Sequence, residues 1–496
     1  MDQLPAEMLH LVCESLGKKE DVHNFRLVCK AFADIGAAHL LRQIHFFLHP
    51  DAATKAMQIA EHRIISRRIT SLFYEAGNLP GVPMNYTDWV DGVSDQWNER
   101  EHLSELIDVN TLRPVNNDRS MARYQKYRYV ANWIEHIVED ERDYKFLSEL
   151  MSQLPSLKRI YMSSSSRLVR RTKKIEQAYS DYPDAFDSPR DRDDFRYGLR
   201  ELQSALFAAG DAKLRLERVH AGEVLWKFVG DEPSLLRYIE PCKTLTSLRL
   251  MFHTSWDETG NELGADSVEC RGQLRSGAFR RFVTSLPDLQ TLQVVFNGDS
   301  NLYGFPADLT NVVGNMTWRD LKTLGLTLMS TDQQLLLDVV ERHAKTLERL
   351  ELVDMGLTTG SWADTLRKIR PMTSLRRALI CGYLKGPGEP GGQPETWNIA
   401  TPDIGRDTLR SELRVYLVDK SFEGDCPLAK TPDSEDSDDD MDDQDHFDAF
   451  CDYLDEMEDD DGWEDEGSYT TDSDLDDDED DEEDEDSILS DDPGSP

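Results

Sequence analysis

Residues that could carry out chemistry are scattered along this 496-residue chain and form no recognisable catalytic group. Catalysis needs Ser, Cys, His or carboxylate side chains at spacings that let them meet in one site. No Walker loop, HExxH motif or GxSxG motif occurs. No CxxC pair occurs either, so neither a zinc site nor a disulfide framework is expected. The sequence therefore predicts a protein that is not an enzyme and that uses no cofactor or metal.

The cysteines and the apolar runs also indicate a compartment. The seven cysteines are odd in number and widely spaced, which favours a reducing environment. The N-terminus has no basic region followed by a long apolar stretch, so we expect no secretory signal. No run approaches the roughly 18 apolar residues of a membrane helix. We therefore expect a cytoplasmic or nuclear protein that does not bind membranes. The cysteines are Cys13, Cys29, Cys242, Cys270, Cys381, Cys426 and Cys451.

Charge divides the chain into two unequal parts. The formal net charge is −41, and residues 431–496 contain 35 Asp and Glu but no Lys or Arg. The remaining 430 residues therefore carry −41 + 35 = −6. Such an acidic segment cannot bury enough apolar surface to offset its chain entropy. We predict a disordered acidic tail over residues 426–496, in which HFDAFCDYLDEM is either a docking helix or incidental apolar content.

Several other motifs allow more than one interpretation. The basic run RLVRRTKK at 167–174 could be a nuclear-import signal, an anion site, a dock for the acidic tail or a solvated loop. Trp89, Val93 and Trp97 could form an aromatic binding site, although helix packing is favoured. In RYQKYRYVANWIEHIV the helical spacing favours a core stripe over nucleic-acid stacking, so no nucleic-acid partner is expected. That stripe consists of Tyr127, Val130, Ile134, Ile137 and Val138. The Gly/Pro-rich loop at 385–398 lacks the context of a phosphate-binding turn.

The N-terminal run LPAEMLHLVCESL is too apolar for an ordinary surface helix. Pro5 suits a helix start and Gly17 a helix end. The apolar residues between them cover an arc of about 200°, roughly twice what one packed face requires. A second helix is predicted from Asp21, and AAHLLRQIHFFL forms a third apolar segment. One apolar face can hold the three helices together. The other needs either a partner protein or the following domain, and the pattern alone does not decide between them.

The motif in this region resembles an F-box. The segment LPAEMLHLVCESLGKKEDVHNFRLVCKAFADI matches the family pattern Leu-Pro-x-Glu-apolar-Leu, then an Asp-apolar step, then Arg-Leu-Val-Cys-Lys. Met8 stands where Ile is usual and Phe32 where Trp is common. The resemblance covers about a tenth of the chain, residues 1–48, and implies docking onto a Skp-type adaptor and through it a cullin. The positions that it implies for adaptor contact are Leu4, Pro5, Met8, Leu9, Val12, Leu16, Val28, Cys29 and Lys30.

Short motifs of the form apolar-x-x-apolar-x-apolar recur through the middle of the chain. Nine such stretches occur: ITSLFY at 69, LKRIYM at 157, LERVHA at 216, LTSLRL at 245, LQTLQV at 289, LKTLGL at 321, LERLEL at 347, the poorer copy SLRRALI near 375, and LRSELRV near 410. Helical patterns separate several of them. The alternation predicts short strands that are buried on one face. A strand and a helix every 26 to 32 residues favour a leucine-rich-repeat solenoid. We predict this α/β fold over residues 49–425, with helical insertions at about 75–150 and 163–212. A parallel α/β sheet is the alternative.

An F-box followed by degenerate leucine-rich repeats resembles a class of proteins abundant in filamentous fungi. This resemblance implies the substrate-recognition subunit of a Skp–cullin–F-box ubiquitin ligase, in which the repeats bind a protein target. Such a subunit is non-catalytic and acts by proximity. An alternative is an interaction scaffold or chaperone-like protein whose acidic tail binds basic clients.

Overall fold

The computed structural model describes most of the first 429 residues. The described ranges are 4–16, 18–76, 85–90, 107–108, 113–114, 118–139, 142–163, 198–253, 264–297, 304–387, 394–399 and 408–429.

Helices occur throughout the described ranges. They are α1 (Ala6–Glu14), α2 (Lys19–Arg26), α3 (Lys30–Leu40), α4 (Pro50–Glu61), α5 (Asp118–Glu139), α6 (Arg142–Ser152), α7 (Leu199–Asp211), α8 (Glu232–Cys242), α9 (Gly264–Arg275), α10 (Ala278–Thr284), α11 (Leu309–Val312), α12 (Gln333–His343), α13 (Trp362–Met372) and α14 (Thr408–Val418). Residues 86–90 are also helical, and 3-10 turns occupy Trp226–Gly230 and Pro427–Ala429.

The strands alternate with the helices from residue 43 onward. They are β1 (Gln43–Phe47), β2 (Ser71–Glu75), β3 (Ile107–Asp108), β4 (Arg113–Pro114), β5 (Arg159–Ser163), β6 (Arg218–Leu225), β7 (Ser247–His253), β8 (Thr291–Phe296), β9 (Ala307–Asp308), β10 (Thr323–Thr327), β11 (Met329–Asp332), β12 (Arg349–Val353), β13 (Gly356–Thr359), β14 (Arg377–Gly386) and β15 (Glu395–Ile399).

Nine parallel strands form the central sheet, and they lie side by side in the order of the chain. The order is β1-β2-β5-β6-β7-β8-β10-β12-β14. Every pair in this series is parallel, and the register advances without a slip except at a bulge between β6 and β7. Parallel neighbours need a crossover of a dozen or more residues, which the intervening helical segments supply. The protein is therefore an α/β protein with a large parallel sheet.

One backbone arrangement repeats at the start of each strand of the central sheet except the last, β14. The carbonyl involved belongs to the residue two positions before the strand's first core side chain. It accepts hydrogen bonds from the N–H groups of two successive residues at the start of the next strand in the sheet. The carbonyl of Thr70, for example, accepts from the N–H groups of Lys158 (2.9 Å) and Arg159 (3.1 Å). The carbonyls that do this are those of Arg42, Thr70, Lys158, Glu217, Thr246, Gln290, Lys322 and Glu348. This repetition pairs the backbone groups before each strand and fixes the register from one strand to the next.

The two faces of the sheet differ because successive side chains in a strand point to opposite sides. One face carries apolar residues that stack in register and are buried with the helices in one core. Burying a side chain of this size stabilises a fold by about 1.5–3 kcal/mol relative to exposure. The central row of this apolar face consists of Ile44, Leu72, Ile160, Val219, Leu248, Leu292, Leu324, Leu350 and Ala378.

Helices form a second layer whose members contact one another in chain order. This series is α4, α6, α7, α8, α10, α11, α12, α13 and α14. Strands β9, β11 and β13 form a shorter parallel ladder. β14 of the central sheet joins this ladder by pairing with β13, with Lys385 opposite Gly356. β15 pairs antiparallel with the second half of β14.

The strand pattern agrees with the repeated motifs at eight of nine predicted positions, from ITSLFY at 69 to SLRRALI near 375. The ninth prediction is wrong, because LRSELRV at 410 lies in helix α14. Its apolar residues Leu409, Leu413, Tyr416 and Leu417 follow helical spacing, with an extra residue that breaks the strand motif. Strand β1 is not among the predicted strands, although LRQIHF at 41–46 has the same motif.

The helical unit and the insertions differ in extent from the prediction. The third apolar segment divides between the end of α3 and strand β1, so the sheet begins inside residues 1–48. Helices α6 and α7 lie within the predicted insertions but belong to the helix layer. The stripe of α5 is buried at Tyr127, Val130 and Ile134. Val93, Trp97, residues 167–174 and residues 431–496 lie outside the described residues.

Candidate protein-binding surface

Helix α1 begins at the proline predicted to start it. Pro5 has an extended backbone (φ −54°, ψ 149°), and its carbonyl accepts hydrogen bonds from the N–H groups of Met8 (3.0 Å) and Leu9 (3.2 Å). Proline donates no hydrogen bond itself, so none is lost at this helix end. Ser15 caps the C-terminal end of the helix, and its hydroxyl donates to the Val12 carbonyl at 2.7 Å. The local sequence thus sets both ends of the helix.

The inward side of α1 forms the core of a three-helix unit with α2 and α3. Leu9 and Cys13 are 4% and 1% exposed. They belong to the same apolar core as residues of α2 and α3, including Phe25 and Phe32, whose ring centroids are 4.4 Å apart. A Cβ at Gly36 would lie 2.3 Å from Cγ of Arg26, so glycine allows α2 and α3 to approach closely. Burial raises the pKa of the Cys13 thiol, which suits a packing role.

The outward side of α1 leaves large apolar side chains in solvent. Leu4, Met8, Leu11 and Val12 are 42%, 47%, 58% and 38% exposed. Of these, Met8, Leu11 and Val12 account for the second half of the wide apolar arc in the sequence. An arc that is half buried and half exposed is what a helix needs if it packs internally on one side and binds a partner on the other.

The connection between α2 and α3 is a second exposed apolar segment. Leu27 is 84% exposed and Val28 61%, and Cys29 is also exposed. Cys29 has an extended backbone and precedes the first residue of α3, Lys30, whose side chain is exposed as well. Ten large apolar side chains are exposed among the described residues, and six lie between residues 4 and 28. We call these six the N-terminal apolar surface: Leu4, Met8, Leu11, Val12, Leu27 and Val28.

Two polar contacts tie α1 to the end of α3. Nδ1 of His10 lies 2.9 Å from Nε2 of His39, so the two rings share one proton between these nitrogens. Burial, and then the nearby His10, lower the pKa of His39. Glu14 forms an ion pair with Arg42 at 3.6 Å, and both side chains are about half exposed. An exposed pair of this kind contributes about 0–1 kcal/mol.

The structure divides the nine residues implied for adaptor contact. Leu4, Pro5, Met8, Val12, Val28, Cys29 and Lys30 lie at the surface. Leu9 lies in the core of the three-helix unit, and Leu16 is half-buried against it. The set did not include Leu11 and Leu27, although Leu11 lies in the apolar arc and Leu27 in the Arg-Leu-Val-Cys-Lys segment. Exposure adds these two residues to the candidate surface.

The face of the sheet opposite the apolar core carries buried polar side chains, and we call it the polar face. His220 on β6 is hydrogen-bonded to Ser247 on β7 (2.9 Å). The Gln293 amide on β8 donates to Glu351 on β12 (2.5 Å) across β10. Gly325 of β10 makes this contact possible, because a Cβ there would lie 2.7 Å from Gln293 and 2.9 Å from Glu351. Polar side chains on this face are thus linked across several strands.

Two further properties bear on function. Among the described residues, no group of three or more His, Cys, Asp or Glu side chains is placed to hold a metal ion. Of the helices within those ranges, none is long and apolar enough to cross a membrane.

Comparison with known proteins does not assign the chain to a family. No protein-family model matches the sequence. A search of curated proteins also finds no match to it.

Proposed function

We propose that this chain is the non-catalytic substrate-recognition subunit of a Skp–cullin–F-box ubiquitin ligase. In this proposal the three-helix unit is an F-box that docks a Skp-type adaptor. The strand and helix series is an irregular leucine-rich-repeat solenoid that binds a target protein. The subunit raises the local concentration of the target's lysines near the conjugating enzyme, and it performs no chemical step itself.

The observation that carries the proposal is the N-terminal apolar surface. Six of the ten exposed large apolar side chains of the described residues fall within residues 4–28, next to a unit with its own buried core. Burying such side chains against a partner stabilises a complex through the hydrophobic effect. Four of the six, Leu4, Met8, Val12 and Val28, are positions that the F-box resemblance implies for adaptor contact.

The strand order supports the solenoid part of the proposal. Each strand of the central sheet pairs with the strands before and after it in the series β1-β2-β5-β6-β7-β8-β10-β12-β14. Each helix of the second layer contacts its neighbours in the helix series in the same order. Many doubly wound α/β sheets reverse their strand order at a switch point, and none occurs among these nine strands. Stacking of successive similar units is the arrangement of solenoid proteins.

Adaptor binding by a surface variant tests the proposal. A variant with Met8→Ser, Val12→Ser and Val28→Ser removes exposed apolar area without touching Leu9 or Cys13. We expect its dissociation constant for the adaptor to increase by at least about 100-fold, because hot-spot apolar residues contribute about 2 kcal/mol or more each. The measurement is titration calorimetry of the purified full chain with a Skp-type adaptor from a filamentous fungus.

A matched control separates this surface from general surface apolarity. Leu236, Val268 and Val415 are 51%, 58% and 43% exposed and lie outside the N-terminal unit. The corresponding triple serine variant should bind the adaptor as the unchanged chain does. Equal affinity of all three proteins for the adaptor, or no binding by the unchanged chain, would refute the docking assignment.

A further inference from the structure

The two histidines that join α1 to α3 lie close enough to share a hydrogen. Nδ1 of His10 is 2.9 Å from Nε2 of His39, and the ring centroids are 5.2 Å apart with the planes tilted by 47°. His10 lies in the middle of α1, and His39 lies in the last turn of α3. Both side chains are partly buried. Their contact is therefore part of the packing of α1 against α3.

This contact depends on how many protons the two rings hold. A neutral imidazole has one N–H group and one bare nitrogen, so a neutral pair can form an N–H···N hydrogen bond. One added proton still leaves a bare nitrogen on one ring, and the hydrogen bond then has a charged donor. A second added proton puts an N–H group on each of the facing nitrogens. Two donors cannot hydrogen-bond to each other, so the contact is lost when both rings are charged.

The surroundings of the pair oppose the second proton. Burial, and then the nearby His10, lower the pKa of His39. Arg42 at the end of α3 and Arg68 in the turn before β2 act in the same direction, because their positive charges repel a charged imidazole. Glu14 on α1 acts in the opposite direction, although it is also paired with Arg42. The second proton therefore binds only below about pH 6.5, the ordinary value for histidine.

The same helix carries half of the N-terminal apolar surface. Met8, Leu11 and Val12 lie within two positions of His10 in the sequence, and their side chains are exposed. The other half of this surface lies on the connection between α2 and α3. The packing of α1 against α3 sets how the two halves are arranged, because α3 follows that connection directly. Loss of the histidine contact therefore loosens the arrangement of the whole surface.

We propose that the contact between His10 and His39 is a pH-sensitive latch, which holds α1 against α3 near neutral pH and releases it when acid protonates both rings. Release weakens binding at the N-terminal apolar surface, because Met8, Leu11 and Val12 lose their fixed position. The latch itself is a property of the three-helix unit. Only its effect on adaptor affinity rests on the proposed function.

Hydrogen exchange of α1 measures the latch in the full chain. Protection factors correct for the intrinsic pH dependence of amide exchange, so they can be compared between pH 7.5 and pH 5.0. We expect the protection of α1 to decrease at pH 5.0 by about 3- to 10-fold, the factor that one net hydrogen bond contributes.

A matched variant keeps the contact but removes the titration. The amide of Asn can replace Nδ1 of His10, and the amide of Gln can replace Nε2 of His39, since each amide offers both a donor and an acceptor. In a His10→Asn and His39→Gln variant, the protection of α1 should change by less than about twofold between the two pH values, because neither amide titrates. A His136→Gln variant removes an exposed histidine of α5 and should keep the full decrease.

The latch fails if the paired variant loses as much protection in acid as the unchanged chain does. It also fails if the unchanged chain shows no loss. A histidine titration of the unchanged chain by NMR gives a second measurement that does not depend on the folding of any variant. The pair should bind its second proton below about pH 6.5. Two independent titrations at the ordinary value would overturn the proposal.

Adaptor affinity at the two pH values separates the latch from the docking assignment. If the adaptor docks on α1, the increase in its dissociation constant at pH 5.0 should be larger for the unchanged chain than for the paired variant. If hydrogen exchange shows the release but the adaptor binds at neither pH, the latch stands and the proposed function fails. If the adaptor binds at pH 7.5 and the protection of α1 is the same at both pH values, the proposed function stands and the latch fails.

Discussion

At the scale of single residues, His343 shows how a buried polar group sets both local structure and pH dependence. The side chain is 1% exposed and accepts a hydrogen bond from the Trp318 N–H at Nε2 (3.0 Å). At Nδ1 it lies 2.8 Å from the Val339 carbonyl. Since a carbonyl can only accept, the ring is neutral with its proton on Nδ1. Burial is the main cause that lowers the pKa of His343 below 6.5.

This arrangement predicts that acid destabilises the fold. The unfolded chain binds a proton at His343 near pH 6.5, whereas the folded chain does so only at a lower pH. The free energy of unfolding should therefore be highest above pH 6.5 and decrease as the pH is lowered below it. Burial also lowers the pKa values of His45, to about 4, and of His49. Their titration adds to the decrease, which urea unfolding at pH 5 to 8 would measure.

A His343→Leu variant isolates the contribution of this residue. At pH 7.5 the variant should lose about 1–3 kcal/mol, because the buried Trp318 N–H is left without its acceptor. Between pH 6.5 and 5 its stability should fall less steeply than that of the unchanged chain. An unchanged pH slope in the variant would contradict the assignment of a neutral imidazole.

At the scale of elements, strand β14 joins the main sheet to the shorter ladder. Its first half, Arg377 to Cys381, pairs with β12, and its second half pairs with β15. The change of partner occurs at Gly382, which has φ +71°. Next to it, the carboxylate of Asp354 accepts a hydrogen bond from the Tyr383 N–H at 2.7 Å. Glycine is required here by its backbone conformation and by the close approach of Asp354.

Replacing this glycine should detach the end of the sheet. The Cβ of a Gly382→Ala variant would lie 2.3 Å from Oδ1 of Asp354, and its backbone would be in the left-handed region. We expect a loss of about 1–3 kcal/mol. Hydrogen exchange should increase in β15 and in the second half of β14, while β5 to β7 stay protected. Gly272 is a suitable control, because a Cβ there has no contact within 4 Å.

Two motifs, near residue 410 and at 41–46, differ from their predicted secondary structure for reasons that lie in the neighbouring elements. The motif near 410 resembles the strand motifs, but an added residue changes its apolar period from two to about 3.6. The motif at 41–46 lies directly after the apolar end of α3, so the helix and strand patterns merge into one apolar run. Short apolar runs are consistent with both structures until their packing partners are known.

At the scale of the whole molecule, stability arises from contacts between successive units. Each strand of the central sheet pairs with its neighbours in the series β1-β2-β5-β6-β7-β8-β10-β12-β14, and the helix layer follows the same order. A local loss of packing should therefore spread to adjacent units first and leave distant ones intact.

A core substitution in a central strand tests this expectation. Leu350 on β12 is fully buried between Leu324 and Ala378 in the apolar row. A Leu350→Ala variant should destabilise the protein by about 2–5 kcal/mol through lost burial and a new cavity. Hydrogen exchange should increase most in β10, β12 and β14 and least in β1 and β2. A Val415→Ala variant at an exposed position should change stability by less than about 0.5 kcal/mol.

The sequence by itself determined most of the strands, because apolar residues at alternate positions have to face a common core. It also showed that α1 has more apolar surface than its own unit can bury. Only the tertiary structure decided which apolar residues are buried within that unit, because burial depends on partners that are distant in the chain. It placed Leu9 inside and left Met8 and Val12 exposed. The hydrogen bond between Gln293 and Glu351 likewise needed the fold, because the two residues are 58 positions apart and meet only through strand register.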